Sequence, residues 1–291
     1  MISIIIVNYN TALFVNKAIE SILLHTKDIS YEIIIVDNNS SQDLQSHISV
    51  FKEKVSVIYL AENIGFGRAN NEGLKIATGR YVFFLNPDTI LLNNAIKILA
   101  DFLDQHPHVG VCGGNLYDAD GMPNHSYMPS LPSPIWELNS LFGNILFKLR
   151  YGKNIQFNFT ANPLPVGYIT GADMMVRGSV LEQCGAFDPD FFMYYEETEL
   201  TYRIIKAGFS IMSVPNAKII HLEGQSFATN DNRESLKSIS RKLYYKKTQP
   251  AIALLLSNIL LRLNCLLRIV LFSILLESNK QKYWKLIYKN I

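Results

Sequence analysis

Short runs of apolar residues, each ending at a polar residue, recur through the first third of the chain. Runs with almost no polar alternation indicate strands that are covered on both faces, as at the centre of a parallel sheet. These runs are residues 3–7, 31–36, 55–60 and 81–85, and stretches with helical spacing separate them. Fourfold alternation of strand and helix predicts an α/β fold with a doubly wound, mostly parallel sheet.

Polar residues follow three of the predicted strands at their carboxyl ends. The three segments are residues 8–11, 37–41 and 86–89. In open α/β sheets, ligands bind beyond the carboxyl ends of the strands, so we expect one composite site along this edge. Asp37 is suited to accept a hydrogen bond from a base or a ribose there, although Asp-Asn-Asn-Ser also suits a simple turn.

Asp88 stands just beyond the most apolar strand, residues 81–85. Pro87 ends that strand because it has no N–H to donate to the sheet. A carboxylate in this position suits a hard divalent cation, which in turn can hold a diphosphate. Alternatively, Asp88 and Thr89 cap a helix that starts near Leu92. The local sequence leaves both interpretations open.

An acidic turn, residues 196–199, forms a second candidate centre with His221. Three carboxylates at a helix start can simply face the positive end of the helix dipole. Because an aromatic run precedes them, a partly buried carboxylate with a raised pKa is also expected, and such a group can act as a general base. His221 ends another apolar run and is either a core residue or a metal ligand.

Two further regions lack the strand–helix alternation. Residues 116–165 have no dominant period, which favours a loop or lid region. Residues 63–71 are expected to open a helix that closes at Thr78-Gly79. Gly65 and Gly67 resemble half of a phosphate-binding fingerprint, but no G-x-G-x-x-G follows a strand, so a nicotinamide dinucleotide site is unsupported.

The C-terminal run, residues 251–276, is long enough to span a bilayer, which takes roughly 20 residues. Arg262 and Arg268 lie near its middle, and each costs on the order of 3 kcal/mol at mid-bilayer. An apolar stripe opposite a polar half therefore favours a helix that lies in the interface of an anionic membrane, preceded by the basic segment 241–247. Packing on the protein's own domain, packing on a dimer partner and a true span remain alternatives.

Composition narrows the class of protein. The chain has 291 residues, a formal net charge of +2 and 48% apolar residues. That charge, without interleaved aromatic and basic residues, argues against nucleic acid as a partner. Cys112, Cys184 and Cys265 form neither metal spacing nor a disulfide framework, which favours a reducing cytoplasm, and we expect no secretory signal.

Taken together, the motifs resemble the inverting glycosyltransferases of family 2, with the nucleotide-diphospho-sugar transferase (GT-A) fold and most of all the bacterial rhamnosyltransferase-like subgroup. The resemblance covers roughly the first 225 residues. Its motifs are Asn8-Tyr9-Asn10, Val36-Asp37-Asn38-Asn39-Ser40, Asn63-x-Gly65-Phe66-Gly67-x-Ala69-Asn70-Asn71, Leu85-Asn86-Pro87-Asp88, Gly171-Ala172, Gly185-x-Phe187-Asp188, Phe192-x-Tyr194-x-Glu196-Glu197-x-Glu199-Leu200-x-x-Arg203, and His221 with Gly224 and Ser226.

The resemblance implies a role for each matching residue. Asp88 and His221 would bind Mg²⁺ or Mn²⁺, and Glu197 would be the general base. The residues implied around the nucleotide sugar are Asn8, Tyr9, Asn10, Thr11, Asp37, Asn63, Gly65, Arg68, Asn70 and Asn86. Asn86 replaces the first Asp of the family's Asp-x-Asp motif. Glu197 replaces an Asp and is longer by about 1.5 Å, so Glu199 is an alternative base.

The expected function is inverting, metal-dependent transfer of a sugar, with rhamnose as one candidate. The acceptor would be a glycan or a lipid-linked saccharide in cell-surface polysaccharide synthesis, on the inner face of the cytoplasmic membrane. A catalytically inactive carbohydrate-binding or assembly subunit is the alternative, and a nucleotidyltransferase is a weaker third. We expect a catalytic domain over residues 1–228 and a helical membrane-associating extension over 229–291, with homo-oligomerisation left open.

Overall fold

The structure is a computed structural model that describes residues 1–222 and 230–291. Gly224, Ser226 and the expected domain boundary after residue 228 lie outside the described residues. The chain divides into two compact units. The first unit comprises Met1–Ser130, Lys153–Phe192 and Glu196–Ser226, and the second comprises Leu131–Gly152, Met193–Tyr195 and Phe227–Ile291. The second unit therefore includes two segments from the region that the sequence assigned to the catalytic domain.

Strands and helices are numbered along the chain. The strands are β1 (Ile2–Asn8), β2 (Tyr31–Asp37), β3 (Val55–Tyr59), β4 (Tyr81–Leu85), β5 (Thr89–Leu91), β6 (Val109–Tyr117), β7 (Tyr127–Met128), β8 (Leu164–Pro165), β9 (Tyr168–Ile169), β10 (Asp173–Arg177) and β11 (Ser210–His221). The helices are α1 (Ala12–His25), α2 (Leu44–Ile48), α3 (Phe66–Leu74), α4 (Ala95–Gln105), α5 (Pro134–Leu141), α6 (Ile145–Tyr151), α7 (Gly178–Cys184), α8 (Glu196–Lys206), α9 (Asn230–Thr248), α10 (Ala251–Ile274) and α11 (Ser278–Asn290).

The first unit is built on one large sheet with the strand order β3-β2-β1-β4-β10-β6-β11-β5. Strands β3, β2, β1 and β4 are parallel, as the strand–helix alternation predicted. Strand β10 is antiparallel to both β4 and β6, and β11 runs parallel to β6. All carboxyl ends of the parallel group therefore meet at one edge of the sheet.

Both faces of the central strands are buried, which confirms the interpretation of the unbroken apolar runs. Because successive strand residues point to opposite faces, Ile4 and Phe83 pack in one core cluster, while Ile5 and Phe84 pack in the other. All four side chains are fully buried. Helices and further strands supply the other residues of the two clusters, so the sheet is covered on both sides.

Two local predictions are wrong, and one alternative that the local sequence left open is excluded. The helix expected to close at Gly79 is α3, which ends at Leu74, because the N–H groups of residues 75–77 bond to carbonyls three residues back and tighten its end. Residues 116–165 contain the helices α5 and α6 rather than an irregular lid. Asp88 and Thr89 do not cap a helix, since Thr89 begins strand β5 and α4 starts only after Asn94.

A buried polar network organises the second unit. The Ser257 hydroxyl of α10 donates to Glu137 Oε1 of α5 at 3.0 Å and accepts from Arg241 Nη1 of α9 at 2.7 Å. About two turns further along α10, Asn264 Nδ2 donates to the Ser140 hydroxyl at 3.0 Å. Burial raises the pKa of Glu137, and the Arg241 guanidinium 3.6 Å away opposes that rise. The polar half of α10 is thus used largely inside the unit, in contrast to the expectation that it faces lipid headgroups.

The apolar stripe of α10 faces outward. Ile259, Leu263, Leu266, Val270 and Ile274 are each exposed by about half or more. Within residues 1–222 and 230–291, α10 is the one helix long and apolar enough to cross a bilayer, judged by length and composition alone. Only 17% of the most apolar 18-residue stretch of α10 is buried. The helix therefore exposes the predicted apolar stripe, while Ser257 and Asn264 of its polar half are buried and Arg262 is exposed.

Candidate active site

The loops after β1 and β2 are tied together by the side chains at the strand ends. Asn8 lies opposite Asp37 in the parallel register. Asn8 Nδ2 donates to Asp37 Oδ1 at 2.6 Å and to the Ser40 hydroxyl at 2.9 Å, and the same hydroxyl donates to Asp37 at 2.6 Å. Asn8 Oδ1 accepts from the Thr11 N–H and hydroxyl. Asn8 and Thr11 therefore shape the loop, and Asp37 is held at its floor with 6% exposure.

Asparagine side chains hold the rim of this loop pair together. Asn10 has a left-handed backbone with φ of 56°, and its side-chain oxygen accepts from the Ser41 N–H at 2.8 Å. Tyr9 beside it is half-buried. Asn38 Nδ2 donates to Asn63 Oδ1 at 2.9 Å, and Asn63 Oδ1 also accepts from the Gly65 N–H at 3.0 Å. The segment after β3 is thus fastened to the segment after β2.

Gly65 is required by its surroundings. Its φ is +90°, and a Cβ at this position would lie 2.2 Å from the Phe192 carbonyl oxygen. That carbonyl accepts from the Phe66 N–H at 2.9 Å, which seats the start of α3. Two neighbouring residues that the resemblance places around the nucleotide sugar, Arg68 and Asn70, donate hydrogen bonds to backbone carbonyls of the protein. Arg68 Nε donates to the Pro189 carbonyl, and Asn70 Nδ2 donates to the Phe66 carbonyl at 3.1 Å.

Asp88 and His221 are brought together by sheet pairing. Strand β5 begins directly after Asp88 and pairs with β11, so that His221 lies opposite Thr89. The Leu222 N–H donates to the Asp88 carbonyl at 3.0 Å. His221 Nε2 consequently lies 3.3 Å from Asp88 Oδ1 and 3.3 Å from Asn86 Nδ2. Asp88 is only 7% exposed.

This arrangement fits a divalent cation with open coordination positions. In the described part of the chain, no group of three or more His, Cys, Asp and Glu side chains forms a ready-made metal cage. One carboxylate oxygen and one imidazole nitrogen 3.3 Å apart can nevertheless share an ion. Mg²⁺ in particular is held by few protein ligands, with waters and substrate phosphates in the other positions. The donor set therefore suits a cation that arrives with a diphosphate.

The acidic turn forms the start of α8 after two residues with left-handed backbone. Tyr194 and Tyr195 have φ of 70° and 67°, which costs energy for aromatic residues. Glu196 is buried, and Glu197 is partly exposed with its Oε1 accepting from the Thr198 hydroxyl at 3.1 Å. Burial raises the pKa of Glu197. Burial, and then the charge of Glu197, raise the pKa of Glu196 well above its usual range.

Glu199 is occupied by an ion pair. Arg203, one helical turn later, donates through Nε at 2.9 Å and through Nη2 at 2.8 Å to the two carboxylate oxygens. Its guanidinium also donates to the carbonyls of Cys184 and Ala186. This fork ties α8 to the end of α7. The arrangement favours a structural role for Glu199 and leaves Glu197 as the accessible carboxylate of the turn.

We expect Glu199→Gln to destabilise the protein by about 1–3 kcal/mol, because it leaves a largely covered guanidinium without its carboxylate. Thermal unfolding followed by circular dichroism would measure this as a lower midpoint. Glu182→Gln, an exposed position on α7, is the control and should leave the midpoint unchanged. An unchanged midpoint for Glu199→Gln would contradict the structural role.

The segment before β10 connects the Asp88 region with Glu197. The Ala172 carbonyl accepts from the Asn86 N–H at 2.9 Å. At the adjacent Gly171, a Cβ would lie 3.9 Å from both Cβ and Cγ of Glu197. The metal-binding candidates and the candidate base therefore lie at the same edge of the sheet, on either side of residues 171–172.

Asp173 is a buried acid that the sequence analysis did not single out. It is fully buried opposite Leu85, and its Oδ2 accepts from the Gly114 N–H at 2.6 Å. Burial raises the pKa of this carboxyl well above its usual range. The sequence signal that could have identified it is an acidic residue inside the otherwise apolar run 172–176. Asp173 therefore links the start of β10 to Gly114 of β6.

Comparisons with known proteins bear on this geometry. The model of a family described as glycosyl transferase family 2 matches residues 3–171. An N-acetylglucosaminyl-diphospho-decaprenol L-rhamnosyltransferase of Mycobacterium tuberculosis is 26% identical over 78% of this chain and 77% of its own. Rhamnosyltransferase WbbL of Escherichia coli is 26% identical over 85% of this chain and 94% of its own.

A solved structure supports the fold. The mannosyltransferase PcManGT from Pyrobaculum calidifontis, in complex with GDP-Man and Mn²⁺, superposes with a TM-score of 0.60 at 14% identity. The superposition covers 99% of this chain and 83% of that one. The predicted GT-A fold is confirmed. The family match covers more than half of the sequence, including Asp37, Asp88 and Gly171. This chain belongs to glycosyl transferase family 2.

Proposed function

We propose that the protein is an inverting, metal-dependent glycosyltransferase that moves a sugar, rhamnose as first candidate, from a nucleoside-diphosphate sugar to a hydroxyl of a glycan or lipid-linked saccharide. The observation that carries this proposal is the convergence of Asp88 and His221 at 3.3 Å, at the same sheet edge as Glu197. The rhamnosyltransferase names of both relatives favour rhamnose.

The donor would lie across the carboxyl ends of the parallel strands. Asp37 would accept from the base, since only part of its carboxylate capacity is used by Asn8 and Ser40. Tyr9, Asn10, Thr11, Asn63 and Gly65 would line the loops around the nucleotide. Arg68 and Asn70, which bond to protein carbonyls, would hold those loops in shape.

Asp88 and His221 would hold Mg²⁺ or Mn²⁺, with the Asn86 amide beside them. When bound, such an ion supplies Lewis-acid neutralisation of the diphosphate leaving group. Mn²⁺ in the structure of the archaeal mannosyltransferase is consistent with a divalent ion in this fold. Two protein ligands would leave coordination positions for phosphate oxygens.

Glu197 would take the proton of the acceptor hydroxyl. As the hydroxyl oxygen forms its bond to the anomeric carbon, the bond from that carbon to the diphosphate oxygen breaks on the opposite face, which inverts the configuration. The proton ends on the Glu197 carboxylate and the electron pair ends on the diphosphate. A raised pKa improves this carboxylate as a base, because its basicity comes closer to that required at neutral pH.

The place of action would be the inner face of the cytoplasmic membrane. The mycobacterial relative is named for a polyprenyl-diphosphate-linked acceptor, and α10 offers an outward apolar stripe. We therefore propose peripheral attachment, with residues 1–228 as the catalytic domain and 229–291 as its membrane-associating extension. Nucleic acid is not among the proposed partners, and a homo-oligomer stays open.

A donor screen tests the proposed function. The purified full-length protein would be incubated with dTDP-, UDP- and GDP-sugars in the presence of Mn²⁺, Mg²⁺ or EDTA, and release of nucleoside diphosphate would be measured. We expect turnover with one donor, and loss of that turnover in EDTA. Binding of nucleotide sugar without hydrolysis or transfer would instead support an inactive carbohydrate-binding or assembly subunit.

A further inference from the structure

Helix α6 exposes most of its apolar side chains. It lies in residues 131–152, which belong to the second unit although they come from the middle of the chain. Leu149 is 80% exposed, Ile145 is 54% and Leu146 is 46%. Phe142, just before the helix, is 57% exposed. Lys148 and Arg150 lie in the same helix. Exposed leucines beside cations form the pattern of an interfacial helix rather than that of a solvated surface helix.

The exposure belongs to a well-anchored segment. The buried Asn139 side chain at the end of α5 donates to Asn144 Oδ1 at 2.9 Å and accepts from the Phe147 N–H at 3.0 Å. Phe147 turns inward with 8% exposure and packs edge-on against Tyr151 at 5.7 Å. The inward side of α6 is therefore fixed, and its leucines are held outward by that packing.

Helix α5 connects this surface with α10. Glu137 and Ser140 of α5 bond to Ser257 and Asn264 of α10, respectively. Those contacts use the polar side of α10, so its leucines and isoleucines remain exposed. Both outward apolar surfaces thus belong to one packed helical unit, although more than 100 residues separate them along the chain.

Charge indicates what covers these surfaces. The second unit contains 14 lysines and arginines against four aspartates and glutamates, a formal net charge of +10. The first unit contains 13 against 21, a net charge of −8, and the two values give the +2 of the whole chain. Two copies of a +10 unit repel each other, which disfavours self-association through this surface. An anionic bilayer complements both the charge and the apolar residues, and each basic residue near it contributes attraction.

We propose that α6 is a second membrane contact, which inserts into an anionic bilayer together with the exposed stripe of α10. The protein then holds the membrane through two segments, one from the C-terminal extension and one inserted between strands of the catalytic unit. This inference rests on the proposed function only in that a lipid-linked acceptor requires the enzyme at a membrane. The binding surface itself is independent of the reaction.

Vesicle binding by the full-length protein tests the inference. The probe is a vesicle of phosphatidylglycerol and phosphatidylcholine, with pure phosphatidylcholine as the neutral comparison. We expect Leu146→Glu/Leu149→Glu to weaken binding to the anionic vesicles at least about tenfold, from the lost burial of two leucines. The uncharged double variant Leu146→Ser/Leu149→Ser should also bind the anionic vesicles more weakly than the wild type. Leu24→Glu, at a 64% exposed leucine of α1, is the matched control and should bind as the wild type does.

Three outcomes would overturn the inference. Wild-type affinity of both α6 variants, with loss of binding only in Leu266→Glu/Val270→Glu of α10, would assign the membrane contact to α10 alone. Equal binding to neutral and anionic vesicles would remove the charge argument. A wild-type dimer in light scattering that the α6 variants convert to monomers, with vesicle binding retained, would assign α6 to a second copy.

An activity assay without vesicles tests catalysis independently of membrane binding. Release of nucleoside diphosphate from the donor, without vesicles, should be the same in the α6 variants and in the wild type. Turnover that is absent from every variant and from the wild type would contradict the proposed function while leaving the vesicle result valid. A selective loss of turnover in the α6 variants, with thermal unfolding unchanged, would instead assign α6 to the catalytic site.

Discussion

Asp88→Ala is expected to lower transfer by about a thousandfold or more, and to remove most of the Mn²⁺-dependent binding of nucleoside diphosphate. The carboxylate lies 3.3 Å from His221 Nε2 and is the only acidic ligand that we assign to the ion. Stabilisation of developing charge by a metal amounts to several kcal/mol, which corresponds to this loss in rate. Steady-state kinetics and calorimetric titration of the diphosphate, each with and without Mn²⁺, would measure the two effects.

Two variants make the Asp88 test specific. Asp88→Asn keeps the size of the side chain but not its charge, and it should lose activity to a similar extent with little change in thermal unfolding. Asp120→Ala removes an exposed aspartate in the turn after β6 and should behave as the wild type does. Normal metal-dependent turnover in Asp88→Ala would mean that the cation, if one is used, is held elsewhere.

Glu197→Gln is expected to leave donor binding intact and to lower turnover by on the order of 10²–10⁴, the usual contribution of a positioned general base. The amide cannot take the acceptor proton, yet it fills nearly the same volume. Single-turnover transfer and donor titration would separate chemistry from binding. Glu196→Gln is the matched control. Burial raises the pKa of Glu196 well above its usual range, which favours the neutral carboxyl, so an amide should replace it with a smaller effect.

The same assignment fixes the direction of the pH dependence. Burial raises the pKa of Glu197, so the base is protonated, and transfer is lost, at a higher pH than for an ordinary glutamate. The acid limb of the kcat/KM profile should therefore lie above pH 4.5, the ordinary value for a glutamate. It should disappear in Glu197→Gln. An active Glu197→Gln together with an equally large loss in Glu199→Gln would move the role of base by two residues.

The sequence by itself determined the sheet and most of its edge. Unbroken apolar runs require burial on both faces, and strand–helix alternation requires parallel neighbours, so β1, β2 and β4 followed from local pattern alone. The polar residues that end those strands then share one edge, because parallel strands end at the same side. That is why Asn8, Asp37 and Asp88 were identified as candidates without any contact information.

Tertiary structure decided the choices that depend on distant partners. The pairing of β5 with β11 excluded a helix cap at Asp88 and brought His221 beside it from 133 positions away. The ion pair with Arg203 distinguished Glu199 from Glu197, although both are acids in the same helical turn. Local sequence does not show the tertiary partner of a carboxylate, because the same residue can face solvent, a guanidinium or a metal.

Helix α10 of the second unit shows most clearly that local sequence does not identify tertiary partners. Hydropathy identified α10 and its stripe, but it could not tell which side of that helix would be buried. The partners of its polar side are Glu137, Ser140 and Arg241, and two of these lie in a segment without any clear period. Burial of hydrogen-bonded polar groups inside the unit leaves the apolar residues outside, which is the reverse of a soluble helix and follows only from packing.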